Sequence, residues 1–313
     1  MEELNEIILK YVTKFQISDF SDFASIDKMS KIILNSKVPN FRDKIKNRYG
    51  LSKSFQLSYD FFNFLDKSYG DYFYCRVFSD ALILKYYKKN TETAFSFADE
   101  FGEKRIYLPY SNDICDCFTL THEMFHDMNL DVNNLSVTRS HFTEYISMYG
   151  EMLLEDFIND NYDIKCACNT RYTFNSCYIK ALNVNFKVNL IKCFLDNGYI
   201  NTFNLNQIIH SYNSYYKRYL CELVNDIIRT SNIDILYINR YLVGILLSCY
   251  SKDLFSDKKY DIDTFLCLNE DINEMYPEEF YSVLDLDVND NYSLELTPDS
   301  YNKLRKSYCK HMR

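Results

Sequence analysis

Breakers are scarce in this chain. Six glycines and four prolines serve 313 residues, and there is no tryptophan. So few turn formers exclude a loop-rich or many-hairpinned β fold and leave short connections between helices. Long hydrophobic runs are missing as well: the most apolar stretch, Tyr241 to Tyr250, is too short to span a bilayer, so no membrane partner is expected. Positive charge forms no cluster, and the formal net charge of −9 argues against nucleic acid or an anionic membrane as partner. The opening Met1-Glu2-Glu3-Leu4-Asn5-Glu6 is acidic rather than charged-then-apolar, which predicts an amphipathic helix and a cytoplasmic location. The eleven cysteines follow no disulfide framework and are expected as reduced thiols, mostly small buried hydrophobes. Two Cys-x-Cys pairs, Cys115/Cys117 and Cys166/Cys168, raise the question of a second metal, but residues two apart on a helix point away from each other.

What remains is ample for a large core, since 47% of residues are apolar. Residues 1–35 read as helix, with Leu4, Ile7, Ile8, Tyr11 and Phe15 on one face, and 55–90 as further aromatic-rich helices. Thr93 to Phe97 and Arg105 to Pro109 alternate apolar and polar around Asp99-Glu100-Phe101-Gly102, which predicts a hairpin. Further helices are expected near 175–196, 204–230, 233–251 and 277–285. The fold class is therefore mostly α, with a small β-hairpin or short sheet.

Only five histidines occur, and two flank a glutamate in His122-Glu123-Met124-Phe125-His126. Residues four apart share a helical face, so both imidazoles can grip one metal ion while Glu123 leans toward the open coordination position. A zinc peptidase needs this set: two nitrogen ligands and a carboxylate base beside the bound water. Ile114, Phe118, Phe125 and Met128 fall near helical spacing, and no Gly or Pro interrupts the approach from Ile114, so the motif sits on one continuous helix.

A catalytic zinc also takes a third protein ligand. The next helical segment, His141 to Phe157, carries Glu144, Glu151 and Glu155, and the first two lie nearly two turns apart on one face. An antiparallel helix pair joined by the turn-like Asp131-Val132-Asn133-Asn134 brings Glu144 against the histidines. Glu144 is thus the expected third ligand, Glu151 a carboxylate that orients a ligating histidine, and Glu155 a solvated charge. One Zn2+ per chain is implied. A further segment, His210 to Tyr219, places Tyr212, Tyr216 and Tyr219 at i, i+4 and i+7, a stripe on one helix. Such a stripe is commonly core; a His and Tyr set also meets the need for donors to a developing oxyanion.

Together these motifs resemble the thimet oligopeptidase and oligoendopeptidase F family of zinc peptidases. Thr119-Leu120-Thr121-His122-Glu123 is similar to that family's approach to its zinc motif, Phe142-Thr143-Glu144 with Glu151 to its third-ligand segment, and His210 to Tyr219 to its His/Tyr segment. Met275-Tyr276-Pro277 through Asp287 resembles its closing segment. The resemblance implies a helical zincin-like metallopeptidase domain, with His210 and Tyr216 stabilising the transition state and Tyr212 and Tyr219 as substrate contacts. It implies that the strand around Tyr107 lies at the cleft edge and pairs with substrate backbone. One catalytic domain is expected over 1–313, with an N-terminal helical segment at 1–50, a metallopeptidase core at 51–290 and a C-terminal segment at 291–313. Three departures stand out: Phe125 where the family commonly has Gly, Asn129 where it has His, and a shorter stretch between His126 and Glu144. The bulky Phe125 bears on how tightly the two zinc helices pack. The resemblance covers the catalytic part only, which leaves either an open cleft or one completed by a second copy in a homo-oligomer.

The expected activity is hydrolysis of internal bonds of short peptides. Two alternatives stay open: a non-catalytic peptide-binding or regulatory protein on a shortened peptidase scaffold, and a helical structural protein whose histidines are merely packed.

Overall fold

The chain opens with two helices rather than one, α1 (Glu2–Lys14) and α2 (Ala24–Leu34). The computed structural model describes residues 1–17, 23–36, 49–87, 92–130, 137–162, 169–255, 262–271, 277–287 and 297–311. Leu4, Ile7, Ile8 and Tyr11 of α1 are buried as their spacing predicts, whereas Phe15, just past the last turn, is exposed.

Helices α3 (Leu51–Leu65) and α4 (Lys67–Val77) follow, separated at Asp66, whose side chain accepts from the Ser68 amide and caps α4. The stretch after α4 departs from the helical reading of 55–90: Leu82–Tyr86 forms strand β1. It pairs parallel with β3 (Lys104–Tyr110), which pairs antiparallel with β2 (Phe95–Ala98), giving the sheet order β1-β3-β2. The β2–β3 hairpin forms where the alternation predicts. Its turn is closed by the Gly102 amide donating to the Asp99 carbonyl, and Gly102 sits at φ +80°, where a side chain would be strained. β1 was not legible because it has no hairpin partner adjacent in sequence; its register against β3 is set across the sheet.

Helix α5 (Cys115–Asn129) carries the histidine motif. It is buried on nearly every side, from Asp116 and Cys117 through Phe125 to Asp127 and Asn129, as expected of a helix enclosed by others. The Thr121 hydroxyl donates to Ser58 of α3, and Ser58 donates to the Cys117 carbonyl. α6 (Val137–Asn161) packs on another side. The connection containing Asp131 to Asn134 lies outside the described residues. Even so, His122 meets Glu151 while His126 meets Glu144, so α5 and α6 run antiparallel, as the sequence reading requires.

Phe125 is accommodated by a size exchange. A Cβ at Gly150 of α6 would fall 2.2 Å from the Phe125 ring, so the missing side chain on α6 makes room for the large one on α5. The Phe125 ring also meets Phe62 and Phe265.

The C-terminal half adds α7 (Asn169–Asn197), α8 (Thr202–Ser211), α9 (Lys217–Thr230), α10 (Ile235–Leu254), α11 (Ile262–Asp271), α12 (Pro277–Val283) and α13 (Pro298–His311). α10 presses on α6 at the metal-ligand position: a Cβ on Gly244 would meet the Glu144 backbone and Cβ at 3.1 Å. The single helix expected over 204–230 is broken. α8 ends at Ser211, Tyr212 is extended, and the Asn213 side chain accepts from the Tyr215 amide to start a short 3-10 turn before α9. The fold is thus mostly helical with one small mixed sheet, as the composition predicts.

Candidate metal centre

The local reason for the site is the period of α5. His122 and His126, four residues apart, project from one face with their Nε2 atoms 3.0 Å apart. Glu144 arrives from α6, its Oε2 3.6 Å from His122 Nε2 and its Oε1 3.7 Å from His126 Nε2. The three ligand atoms lie within 4.8 Å of one another. Donors about 2.0–2.2 Å from a tetrahedral zinc ion lie roughly 3.3–3.6 Å from one another, so the donor set has the right chemistry and about the right spacing.

The polar accounting agrees. Glu144 is 1% exposed, and its Oε2 has no hydrogen-bond partner among the described residues. A buried carboxylate oxygen without a donor is costly unless something else occupies its lone pairs. A divalent cation held by His122, His126 and Glu144 would satisfy it. The cluster contains no cysteine; Cys115 and Cys117 form no disulfide, and Cys166 and Cys168 lie outside the described residues.

Glu151 lies one layer behind the ligands. Its Oε1 is 2.6 Å from His122 Nδ1, and its Oε2 accepts from the Thr173 hydroxyl of α7. A carboxylate on Nδ1 holds a ring proton there, so that Nε2 is the nitrogen left to give up its proton and offer a lone pair to a metal ion. Burial alone would depress the His122 imidazole, but Glu144 and Glu151 outweigh it and push it up to about 10. For Glu144, burial favours the neutral acid, yet the two imidazoles hold the carboxyl well below its ordinary value. Glu155, expected as a solvated charge, is instead buried at 8% exposure, because this face of α6 turns inward.

Glu123 is buried at the junction of α5 with the sheet. The Ser96 hydroxyl of β2 donates to both its carbonyl, 2.7 Å, and its Oε2, 3.0 Å. Oε1 carries no hydrogen bond among the described residues. Tyr107 stands on β3, whose backbone is paired on both sides, so an added strand has no place there. Its hydroxyl donates to Glu92 and lies 3.4 Å from that of Tyr87. The sheet edge that touches the motif is β2, through Ser96.

The His210–Tyr219 segment sits elsewhere. His210 is exposed, with its Nδ1 2.8 Å from Lys217 Nζ. The Tyr212 hydroxyl donates to Asn185 and accepts from Asn189, and the Tyr219 hydroxyl lies 3.4 Å from Asn183 Nδ2. The Tyr216 ring is buried against Tyr178 and Tyr215. These contacts bind α7 to the α8–α9 connection; none of them is with a residue of the metal cluster.

The side chain that does reach the cluster comes from α10, with a neighbour from α7, and neither was foreseen. Arg240 Nε lies 3.1 Å from Glu144 Oε1, and its Nη2 donates to the Tyr241 hydroxyl at 2.9 Å. The Tyr241 phenol is pushed far up by burial and then by the Glu144 charge, which places it in that carboxylate's field. Tyr237 covers the guanidinium, and Lys180 of α7 stands over the Tyr241 ring. The only sequence signal was an Arg among tyrosines in an otherwise apolar helix, Leu236-Tyr237-Ile238-Asn239-Arg240-Tyr241.

Among the described residues no helix is long and apolar enough to cross a membrane. No family model matches the chain, and no curated protein matches it in sequence. Two solved structures are similar in fold. A crystal structure assigned as an oligoendopeptidase F from Bacillus anthracis str. Ames has a TM-score of 0.56 at 12% identity, over 97% of this chain and 55% of that one. A second X-ray structure assigned as oligoendopeptidase F has a TM-score of 0.57 at 9% identity, over 90% and 54%. The chain therefore spans about half the length of the structures it matches, and what it shares with them is the fold of helical oligoendopeptidase F structures.

Proposed function

We propose that this protein is a zinc metallopeptidase that hydrolyses internal bonds of short peptides. The observation that carries this reading is the convergence of His122, His126 and Glu144, with a buried Glu144 oxygen unsatisfied and Glu123 one residue from a ligand. The fold likeness to oligoendopeptidase F structures supports it. His122, His126 and Glu144 would hold a zinc ion, and the chemistry it would supply there is Lewis acidity toward a peptide carbonyl and a water.

The chain's own groups do the rest. Glu123, anchored through Ser96 with one oxygen uncommitted, accepts the proton of the attacking water and delivers it to the departing amine. Glu151 fixes the His122 ring so that its Nε2 stays available. The Tyr241 hydroxyl, which accepts from Arg240, keeps its own proton to donate to the oxyanion, the role that the family resemblance implied for Tyr216 and His210. Edge strand β2 is the place where an extended peptide would add its backbone beside Glu123.

The test is Glu123→Gln. It is expected to keep one zinc per chain by elemental analysis while peptide hydrolysis, followed by mass spectrometry of a digested peptide mixture, falls by about 10²–10⁴. Undiminished turnover would remove Glu123 from the chemistry. Peptide binding without any product in the unaltered chain would favour the non-catalytic reading.

A further inference from the structure

We propose that Lys180 of α7 and Arg240 of α10 form a carboxylate-binding subsite beside the metal cluster, so that the free C-terminus of a short peptide is part of what the site recognises. The proposal rests on the peptidase reading and deepens it by naming the end of the substrate that is held.

The two cations are brought together by one aromatic ring. Lys180 Nζ lies 3.2 Å from the Tyr241 ring centroid, while the Arg240 guanidinium lies 4.9 Å from the same centroid and donates to its hydroxyl. Arg240 is also 3.1 Å from Glu144, which fixes the pair against the metal-ligand position. Like charges held side by side and half-buried repel, and a folded chain keeps them there only when anions compensate.

The anions present are already committed. Glu151 is taken by His122 and Thr173. Glu144 is shared between Arg240 and the two imidazoles and is the carboxylate a metal ion would claim. Among the described residues no carboxylate pairs with Lys180, and none but Glu144 pairs with Arg240. The Tyr241 face attracts an ammonium but offers its N–H groups no acceptor. With a divalent ion bound, the metal, Arg240 and Lys180 carry four positive charges against three from Glu123, Glu144 and Glu151. One further negative charge balances the site.

The donors also have the right form. A guanidinium fork and an ammonium together match the two oxygens of a main-chain carboxylate, and every short peptide carries one. Burial lowers the affinity of Lys180 for its proton and outweighs the opposing pull of Cys177, Glu144 and Glu151, with the Arg240 charge adding to the lowering. Tyr237, which covers the guanidinium at 3.9 Å, is 51% exposed, so this flank of the cluster opens to solvent.

The experiment measures binding separately from cleavage. A fluorescein-labelled five-residue peptide is prepared as the free acid, as the C-terminal amide, and as an amide whose last residue is glutamate. Anisotropy is read on the zinc-supplied full chain carrying Glu123→Gln. The free acid is expected to bind at least about tenfold tighter than either amide, and Lys180→Met in the same background is expected to abolish that difference. Equal affinities for acid and amide, or a difference that survives Lys180→Met, would overturn the subsite. Tightest binding by the glutamate-ending amide would overturn the C-terminal assignment in favour of an acidic side chain. Product formation is followed separately on the unaltered chain. A preference for the acid without products would refute the peptidase reading and leave the subsite standing; products with equal affinities would do the reverse.

Discussion

Helix α5 carries two buried ionic clusters one residue apart, and they are built on opposite plans. Asp127, fully buried, has its carboxylate saturated: Arg76 of α4 donates to both oxygens at 2.7 Å, and the Tyr72 hydroxyl adds a third bond. Arg76 in turn donates to the Lys104 carbonyl of β3, which ties helix and sheet together. His126, next to it, belongs to a cluster with an orphaned carboxylate oxygen and two imidazole nitrogens facing each other. Both clusters are charged, buried and fixed by packing. The difference lies in completion: a saturated ion pair holds the fold, and an unsaturated one is a place for a ligand.

That contrast can be broken at either end. The largest expected effect is on the closed cluster. Asp127→Ala leaves Arg76 largely buried without its counter-charge and is expected to cost about 3–5 kcal/mol of stability, read as a lower urea midpoint, with or without added zinc. A near-neutral result would show that the pair is not structural.

At the open cluster the chemistry should suffer before the fold does. Tyr241→Phe is expected to lower turnover by about 10²–10³, with zinc content unchanged, whereas Tyr216→Phe leaves turnover near that of the unaltered chain. The reverse ranking would return the donor role to the His210–Tyr219 segment. Glu151→Gln should weaken zinc about 10–100-fold in a competition titration, because His122 then faces a neutral amide in place of the carboxylate that orients its ring and raises its basicity. Unchanged affinity would leave Glu151 as packing alone.

The smallest effect is a slope. In the metal-free chain His122 holds its proton up to about pH 10, so zinc must displace that proton at neutral pH. Zinc affinity is therefore expected to rise about tenfold per pH unit between pH 7 and 9. The sign reverses for the metal-free fold. The imidazole's folded pKa is raised from 6.5, so its contribution to stability is full below about 6.5 and is lost as pH rises toward 10. A flat zinc affinity across that range would mean that the Glu144 and Glu151 pairing is not formed in solution.

What could be read beforehand followed from local periodicity. His122, Glu123 and His126 were legible because four residues make about one helical turn, and Glu144 because α6 is the next helix and must fold back on α5. The β2–β3 hairpin was legible from its alternation and its glycine turn. The single helix through His210 to Tyr219 was not realised, because Asn213 caps a new turn and competes with continuation. Strand β1 was hidden because its partner, β3, lies across the sheet rather than next to it in sequence. Phe125 by itself left open how tightly the two helices pack, and Gly150 opposite it decides that.

The division has a physical basis. By itself the sequence determined that α5 presents two imidazoles and a carboxylate on adjoining positions, since the pitch of a helix is a property of the backbone. Only the tertiary structure decided that Glu144 stays buried with one oxygen unpaired, that Asp127 is saturated, and that Arg240 reaches Glu144 from far along the chain, with Lys180 over the neighbouring Tyr241 ring. Those facts depend on which faces meet, and Gly150 and Gly244, by letting α5 and α10 approach α6 closely, have a large part in setting that.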